Sequence, residues 1–423
     1  MFLIQLGTHV CLPLTNLFDT SNQRCVSKIV LKGPLFTGKE FIEEAAVVVN
    51  RELGVIEEVE PQSSTQEYKD AELIEVKGAT ILPGLIDAHV HFFGSQRFDL
   101  IDWVTANDAL AALRSIGDLR RVLCAGFTSV RDLGSKAGLS LSKAIKEGVI
   151  EGPTIVSCSK SLAQTGGDDD PVVLPIKIAQ ELSYSYYCDG PWECRRAVRM
   201  VLRDGGEVVK VYASGASPQG GATRVQFTLE ELRAIVDEAH RSGLRVAAHA
   251  IGEQAIANAV DAGVDSIEHG VGLTPEIAKE IKQKAIYYVP TLSVFHAVKL
   301  SGDHREKGLV KKHFSEDLEI VKDYGLNVVC GSDCVGADFQ RHGENYREIV
   351  DLAKILGNRE ALVAATSRAA QCLGLQRTGR VEEGYQADLV VVNGNPLYDV
   401  QALAPQNVVH VLKAGKIFTP AQR

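Results

Sequence analysis

The sequence predicts an α/β protein: a (β/α)8 TIM barrel accompanied by a small β-sandwich domain formed from both termini. Three observations predict it. From Pro83 onward, short apolar strands alternate with amphipathic helices, the pattern of parallel strands joined by helical crossovers. Short β-type segments flank that region on both sides. Six metal-competent side chains then fall, one after another, at the C-terminal ends of predicted strands: His89 and His91 in IDAHVH, Lys210 in VVKVYASG, His249 in VAAHA, His269 in SIEHG and Asp333 in VVCGSDC.

Taken in order, residues 1–27 contain the apolar patches MFLIQL and VCLPL without a basic leader, and are expected to form a loose N-terminal extension. Residues 28–82 supply SKIVLKG, AAVVVNR, GVIEEVE and AELIEVKG, which read as small antiparallel strands, with SSTQEYKDAE as a polar loop. Residues 83–375 carry the repeated strand and helix, including FTSVRDLG, LSKAIKEGVI, PTIVSCS, CRRAVRMVLRDG, EVVKVYAS, TLEELRAIVDEAHRSG and GEQAIANAVDAG. Counting from LPGLIDAHVH gives eight strands before closing helices near 344–374. Residues 376–423 return to short strands in GRVEEG, ADLVVVNG and VVHVLKAGKIF, and are expected to join 28–82 in one composite β domain.

Composition narrows the function. A 423-residue chain that is 45% hydrophobic, with a formal charge of −9, no Lys/Arg block and no apolar run long enough to span a bilayer, argues against nucleic-acid and membrane partners. A small-molecule substrate is the expectation. Nine scattered cysteines, without a CxxC pair, read as reduced thiols of a cytoplasmic protein.

Geometry gives the six residues their meaning. The strand ends of such a barrel converge on one face, so residues far apart in sequence meet there. His89-x-His91 sends two imidazoles to the same side of one strand, and Asp87 shares that parity, suited to orienting a ligand. Imidazole and carboxylate suit Zn²⁺, with Mn²⁺ or Co²⁺ feasible. A protonated Lys210 would be repelled by two dications; CO₂ addition would make it an anionic carbamate bridge. Taken singly, each element has an ordinary explanation: HxH arises by chance, a strand-end lysine forms a salt bridge, and an Asp after Gly-Ser caps a turn. Six on one rim are a different matter, and together they argue for a two-metal hydrolytic centre.

The stretch from about 28 to 420 resembles the amidohydrolase superfamily, in the two-metal branch of prolidase-like (Xaa-Pro dipeptidase-like), ochratoxinase-like and imidazolonepropionase-related proteins. The motifs that carry this are LPGLIDAHVH, the TGG of SLAQTGGDDD, VVKVYASG, VAAHA, SIEHG, VPTL, GSD and GRVEEGYQADLVVVNGNPL. The resemblance implies that His89, His91 and Asp333 hold one metal, that His249 and His269 hold the other, and that carboxylated Lys210 bridges them. It further implies that Asp333 shuttles the proton and that Tyr212 lies near the substrate carbonyl or carboxylate. Assembling relatives make a homo-oligomer the expectation. Relatives of this branch carry His in a TGGHGD motif where this chain has Asp168 in TGGDDD. An acid there either recognises a basic group on the substrate or stands solvated.

Hydrolysis of an amide bond in a small carboxylate-bearing substrate, a dipeptide or N-acyl amino acid, is the leading expectation. Metal-activated hydroxide would attack, and the substrate carboxylate would meet Tyr212, Arg224 in the Gly-rich GASPQGGATR loop, or His342 in RHGENYREI. Lactone, ester or cyclic-amide hydrolysis is the alternative, and a metal-free scaffold a weaker one, since all six donors are present. A deaminase is disfavoured because Glu253 follows His249 by four residues rather than in HxxE spacing, and a mononuclear imidazolonepropionase is disfavoured by Lys210.

Overall fold

A computed structural model of the chain describes residues 27–61, 71–215, 224–301, 308, 311–337 and 340–418. The expected N-terminal extension, apart from Ser27, and most of the GASPQGGAT loop lie outside the described residues.

The described residues open with β1 (Lys28–Phe36), β2 (Phe41–Asn50), β3 (Val55–Pro61), β4 (Ala71–Glu75) and β5 (Ala79–Pro83). β2 runs antiparallel to β1 and β3 antiparallel to β2, as the alternating sequence predicts. β4 and β5 instead pair with β1 in parallel. β2 occupies one edge of β1, and β4 and β5 occupy the other.

The central region supplies β6 (Leu85–Val90), β7 (Phe127–Asp132), β8 (Thr154–Ser157), β9 (Ser161–Ala163), β10 (Ser185–Tyr187), β11 (Val208–Tyr212), β12 (Arg245–Ala250), β13 (Ser266–His269), β14 (Tyr287–Val289) and β15 (Asn327–Val328). They form an α/β array of two parallel sheets, β6-β7-β8 and β10-β9-β11-β12-β13-β14-β15. The break between sheets falls at Ser159, whose left-handed backbone (φ 62) turns the chain between β8 and β9. At the other side, Ala88 N–H donates to the Cys330 carbonyl, Asp333 N–H to the His89 carbonyl and His91 N–H to the Cys334 carbonyl. These bonds tie β6 to the segment that follows β15.

Crossover helices begin and end where the sequence says they should. Thr228 and Glu231 form a reciprocal capping box at the start of Leu229–Arg241. Pro191 opens the helix Pro191–Asp204, and Gly205, with φ 97, closes it in the left-handed conformation.

β16 (Leu389–Asn393), β17 (Val408–Lys413) and β18 (Lys416–Phe418) return to the first sheet, β16 pairing antiparallel with β5. The two ends of the chain therefore share one mixed eight-stranded sheet, in the order β18-β17-β16-β5-β1-β2-β3 with β4 beside β1. Its core includes Ile29, Leu31, Val47, Ile56, Ile81, Leu389 and Val391. Among the described residues, no helix is long and apolar enough to cross a membrane, and the seven described cysteines are free.

Candidate metal centre

Strand parity builds the site from below. On β11, Val208, Lys210 and Tyr212 share one face while Val209 and Val211 share the other. Val208 packs with Ile86, Ala88, Ala247, Val289 and Val329 in an apolar plug. Val209 and Val211 instead join the large cluster containing the helix residues Leu232, Ile235 and Val236. Lys210 thus rises one step above an apolar floor and Tyr212 a second step. The same rule on β12 sets Ala247 in the floor and His249 above it.

The sequence-predicted ligands converge. Ring centroids lie 5.3 Å apart for His89 and His91, 5.2 Å for His89 and His269, and 4.4 Å for His249 and His269. Donor atoms of His89, His269 and Asp333 all fall within 4.8 Å of one another. Asp333 Oδ1 is 3.2 Å from His91 Nε2 and 3.5 Å from His89 Nε2, and Lys210 Nζ is 3.4 Å from His89 Nε2. The Asp333 side chain is 17% exposed against 1% for His89, so the carboxylate marks the side open to water. Two of these residues need unusual backbone: His269 has φ 69 and Asp333 φ 56. Left-handed conformations at non-glycine residues are costly and cluster where a side chain must be aimed. Here they turn the last residue of β13 and the segment after β15 toward the shared centre.

Each imidazole is held by its outer nitrogen. His89 Nδ1 meets Glu268 Oε2 at 2.9 Å, His91 Nδ1 the Gly134 carbonyl at 2.7 Å, His249 Nε2 the Gly215 carbonyl at 3.1 Å, and His269 Nδ1 the Thr291 hydroxyl at 2.7 Å. One nitrogen of each ring is left for the centre, the arrangement a metal-binding histidine requires.

The electrostatics suit a cation-binding site. Burial, then the Lys210 charge, holds His89 well below its usual pKa and His249 at about 3; burial, then His249, does the same to His269. These rings stay neutral and keep their lone pairs. Burial also lowers Lys210, against the opposing pull of Glu268 and Asp333. Burial works to raise Asp333, yet His89, His91 and Lys210 outweigh it and hold the carboxyl below its usual range. Burial lowers His91 too, but Asp333 outweighs it and raises that ring; three depressed imidazoles, an ionised carboxylate and a lysine shifted downward around one point fit divalent ions.

The remaining predicted residues are distributed around this group. Tyr212 has its ring centroid 5.1 Å from Lys210 Nζ, and burial together with Asp169 and Asp168 pushes its phenol well above the usual range. Arg224 is exposed; its carbonyl accepts from Gly215 N–H at 2.9 Å, next to the anchor of His249. Asp168 donates its backbone N–H to Gln226 Oε1 at 3.2 Å, which ties the TGGDDD turn to the same strand end. His342 lies behind His91: its Nε2–H donates to the His91 carbonyl at 3.1 Å and its ring stacks on Phe92 at 4.9 Å.

Asp87, expected to orient a ligand, bears on His89 and Asp333 through backbone rather than through a ring nitrogen. It accepts from Ser332 N–H and Oγ at 2.9 and 2.5 Å, from Asn345 Nδ2 at 2.7 Å and from His89 N–H at 3.1 Å, so it fixes backbone beside Asp333. The groups that do anchor imidazoles, Glu268 and Thr291, were not singled out from sequence. SIEHG offered a partial signal, a buried-strand acid adjoining a ligand.

Comparison with known proteins adds a family to this geometry. The amidohydrolase family profile matches residues 80–418, most of the chain. The chain belongs to the amidohydrolase family. This amidohydrolase is 34% identical over 369 residues to the ochratoxinase of Aspergillus niger, covering 80% of this chain and 75% of that one. The crystal structure of A. niger ochratoxinase superposes with a TM-score of 0.85 at 29% identity, covering 93% of this chain and 96% of that one. A prolidase crystallised with N-methylphosphonate-L-proline gives a TM-score of 0.84 at 34% identity, covering 93% and 99%. A Xaa-Pro dipeptidase with methionine bound in its active site gives 0.83 at 28%, covering 93% and 100%. Family and relatives together make this chain a hydrolase.

Proposed function

We propose that this amidohydrolase cleaves the amide bond of a small carboxylate-bearing substrate, a dipeptide or N-acyl amino acid, at a two-metal centre. The observation that carries the reading is the convergence of His89, His269 and Asp333 donor atoms within 4.8 Å, beside Lys210. His89, His91 and Asp333 would hold one divalent ion and His249 and His269 the other, the imidazoles favouring zinc. Lys210, whose ammonium burial disfavours, would add CO₂ as its neutral amine, losing a proton and becoming an anionic carbamate able to hold both ions. Ions bound there would supply an acidified water, with pKa lowered toward roughly 7, and a polarised substrate carbonyl.

The chain's own residues supply the rest. Asp333, held ionised below the usual carboxylate range and the most open of the group, takes the proton of the attacking water and delivers it to the leaving amine. Tyr212 keeps its proton and can donate to the substrate carbonyl or carboxylate. Arg224, next to the His249 anchor, is a further donor for the carboxylate; His342, expected as another, is instead buried with its Nε2–H committed to the His91 carbonyl. Prolidase, dipeptidase and ochratoxinase relatives support amide over ester chemistry.

The same reading takes eight of the ten strands β6 to β15 as the staves of a closed (β/α)8 barrel over residues 83–375, supported by the bonds between β6 and the segment after β15. Residues 28–82 and 376–423 are taken as the accessory β domain, whose described strands pair in one mixed sheet rather than as the two sheets of the expected sandwich. A cytoplasmic homo-oligomer acting on a small molecule completes it. A library of dipeptides, N-acyl amino acids, esters and lactones, incubated with zinc-loaded protein and read by released amine or acid, tests the substrate class. Turnover confined to esters or lactones would replace the amide reading by its alternative.

A further inference from the structure

Of the four clustered imidazoles, His89 alone is anchored by a carboxylate; the outer nitrogens of His91 and His249 meet carbonyls and that of His269 a hydroxyl. We infer that Glu268, clamped by Arg131 and Ser266, is a positioning residue that fixes His89 as its Nδ1–H tautomer and so aims the Nε2 lone pair into the centre. The inference rests on the reading of His89 as a metal ligand, and deepens it by naming what prepares that ligand before any ion arrives.

Glu268 divides its two oxygens. Oε1 accepts from Arg131 Nη2 at 2.7 Å and from Ser266 Oγ at 2.5 Å, while Oε2 faces His89 Nδ1 at 2.9 Å. Arg131 is itself fixed, its Nε donating to the Ala88 carbonyl at 2.6 Å and Nη1 to Ser266 Oγ at 3.2 Å. The Glu268, Arg131 and His89 side chains are between 0% and 2% exposed, so water cannot substitute for a missing partner. An ion pair serving stability alone gains most when both carboxylate oxygens meet the guanidinium fork. Here the fork receives one oxygen, and the other is reserved for the imidazole.

An ionised carboxylate only accepts hydrogen bonds, so the proton must sit on His89 Nδ1. The other tautomer would set a ring lone pair against a carboxylate lone pair at 2.9 Å in a dry interior. With Nδ1 committed, Nε2 is left unprotonated, 3.4 Å from Lys210 Nζ and 3.5 Å from Asp333 Oδ1. Arg131 balances the charge of Glu268, so the pair orients the ring without adding net charge to the centre. The sequence makes this possible through strand parity: Ser266 and Glu268 occupy one face of β13, and the left-handed turn at His269 lets the next residue point to the centre as well.

The test begins with wild-type protein stripped of metal and labelled with ¹⁵N-histidine. A long-range ¹H–¹⁵N spectrum, with His89 assigned by its loss in His89→Gln, is expected to show a protonated Nδ1 and a pyridine-like Nε2. A protonated Nε2 would overturn the inference. In Glu268→Gln, which can donate as well as accept, mixed tautomers are expected, with Zn²⁺ affinity reduced about 10–100-fold in chelator competition. A folded Glu268→Gln that binds Zn²⁺ as tightly as wild type would also overturn it. Should that variant not fold, the wild-type spectrum still decides. Should wild type bind no Zn²⁺, the two-metal reading fails while the tautomer result stands by itself.

Discussion

His269 Nδ1 and Thr291 Oγ1 stand 2.7 Å apart, and both residues hold left-handed backbone, at φ 69 and φ 50. For a β-branched threonine that conformation costs on the order of 1–3 kcal/mol, which the surrounding bonds must offset. Glu348 supplies two of them, accepting from Leu292 N–H at 3.0 Å and Ser293 N–H at 2.7 Å. Ser293 Oγ then donates to the Ser332 carbonyl at 2.8 Å, beside Asp333. Thr291→Val keeps the branched shape and removes the hydroxyl. We expect it to fold and to hold metal about tenfold less tightly, measured as Zn²⁺ retained against a graded chelator. Unchanged retention would mean that backbone alone aims His269.

Lys210 gives the most direct test of the bridge. Wild-type protein prepared without chelators, in bicarbonate, should contain near two metal equivalents by elemental analysis, and ¹³C-bicarbonate should give a carbamate resonance. Lys210→Ala should lose that resonance and most of its metal and activity. His249→Ala and Asp333→Asn should likewise abolish most turnover. Metal near zero in the wild type would favour the scaffold alternative.

A third expectation concerns acid. His249 is held at about 3, and His89 and His269 are also depressed, first by burial. In the unfolded chain these rings titrate near 6.5, so between that value and the folded ones the unfolded state binds more protons. Stability of the metal-free protein therefore falls as pH drops below about 6.5, by up to about 1.4 kcal/mol per pH unit for each ring. Glu348 slopes the other way. Burial raises it to about 8, so the folded state binds the extra proton between about 4.5 and 8 and stability falls as pH rises through that window. Urea melts of Glu348→Gln across pH should lack this second slope, and a wild-type-minus-variant stability difference flat from 4.5 to 8 would contradict it.

What the sequence made legible follows from period and position. Lys210, His249 and the His89/His91 pair could be read because strand alternation and strand-end placement are local properties. The Arg131–Glu268–His89 chain could not, because its members are 137 and 179 residues apart and only the fold brings them together. The helix Asp108–Cys124, between β6 and β7, is hard to read from sequence for a different reason: Leu110, Leu113 and Ile116 are 44%, 67% and 37% exposed, which blurs its apolar stripe. The eight strands read from sequence likewise concealed the kink at Ser159, since a left-handed serine leaves no compositional trace.

Asp168 bears on specificity rather than on turnover itself. Its backbone is tied to Gln226, and Gln226 N–H donates to the Ala213 carbonyl at 2.9 Å, one residue beyond Tyr212. The side chain is half-buried in a region where Asp168 and Asp169 already raise the Tyr212 phenol. A substrate carrying a cationic group near that phenol would meet a field that favours it, worth about 1 kcal/mol for a partly exposed pair. Asp168→Asn keeps the size and removes the charge. We expect kcat/KM for an amine-bearing substrate to fall about fivefold relative to its neutral analogue, with metal content unchanged. Equal effects on both substrates would leave Asp168 as a solvated acid, and the neutral class would then be the better guide to the natural substrate.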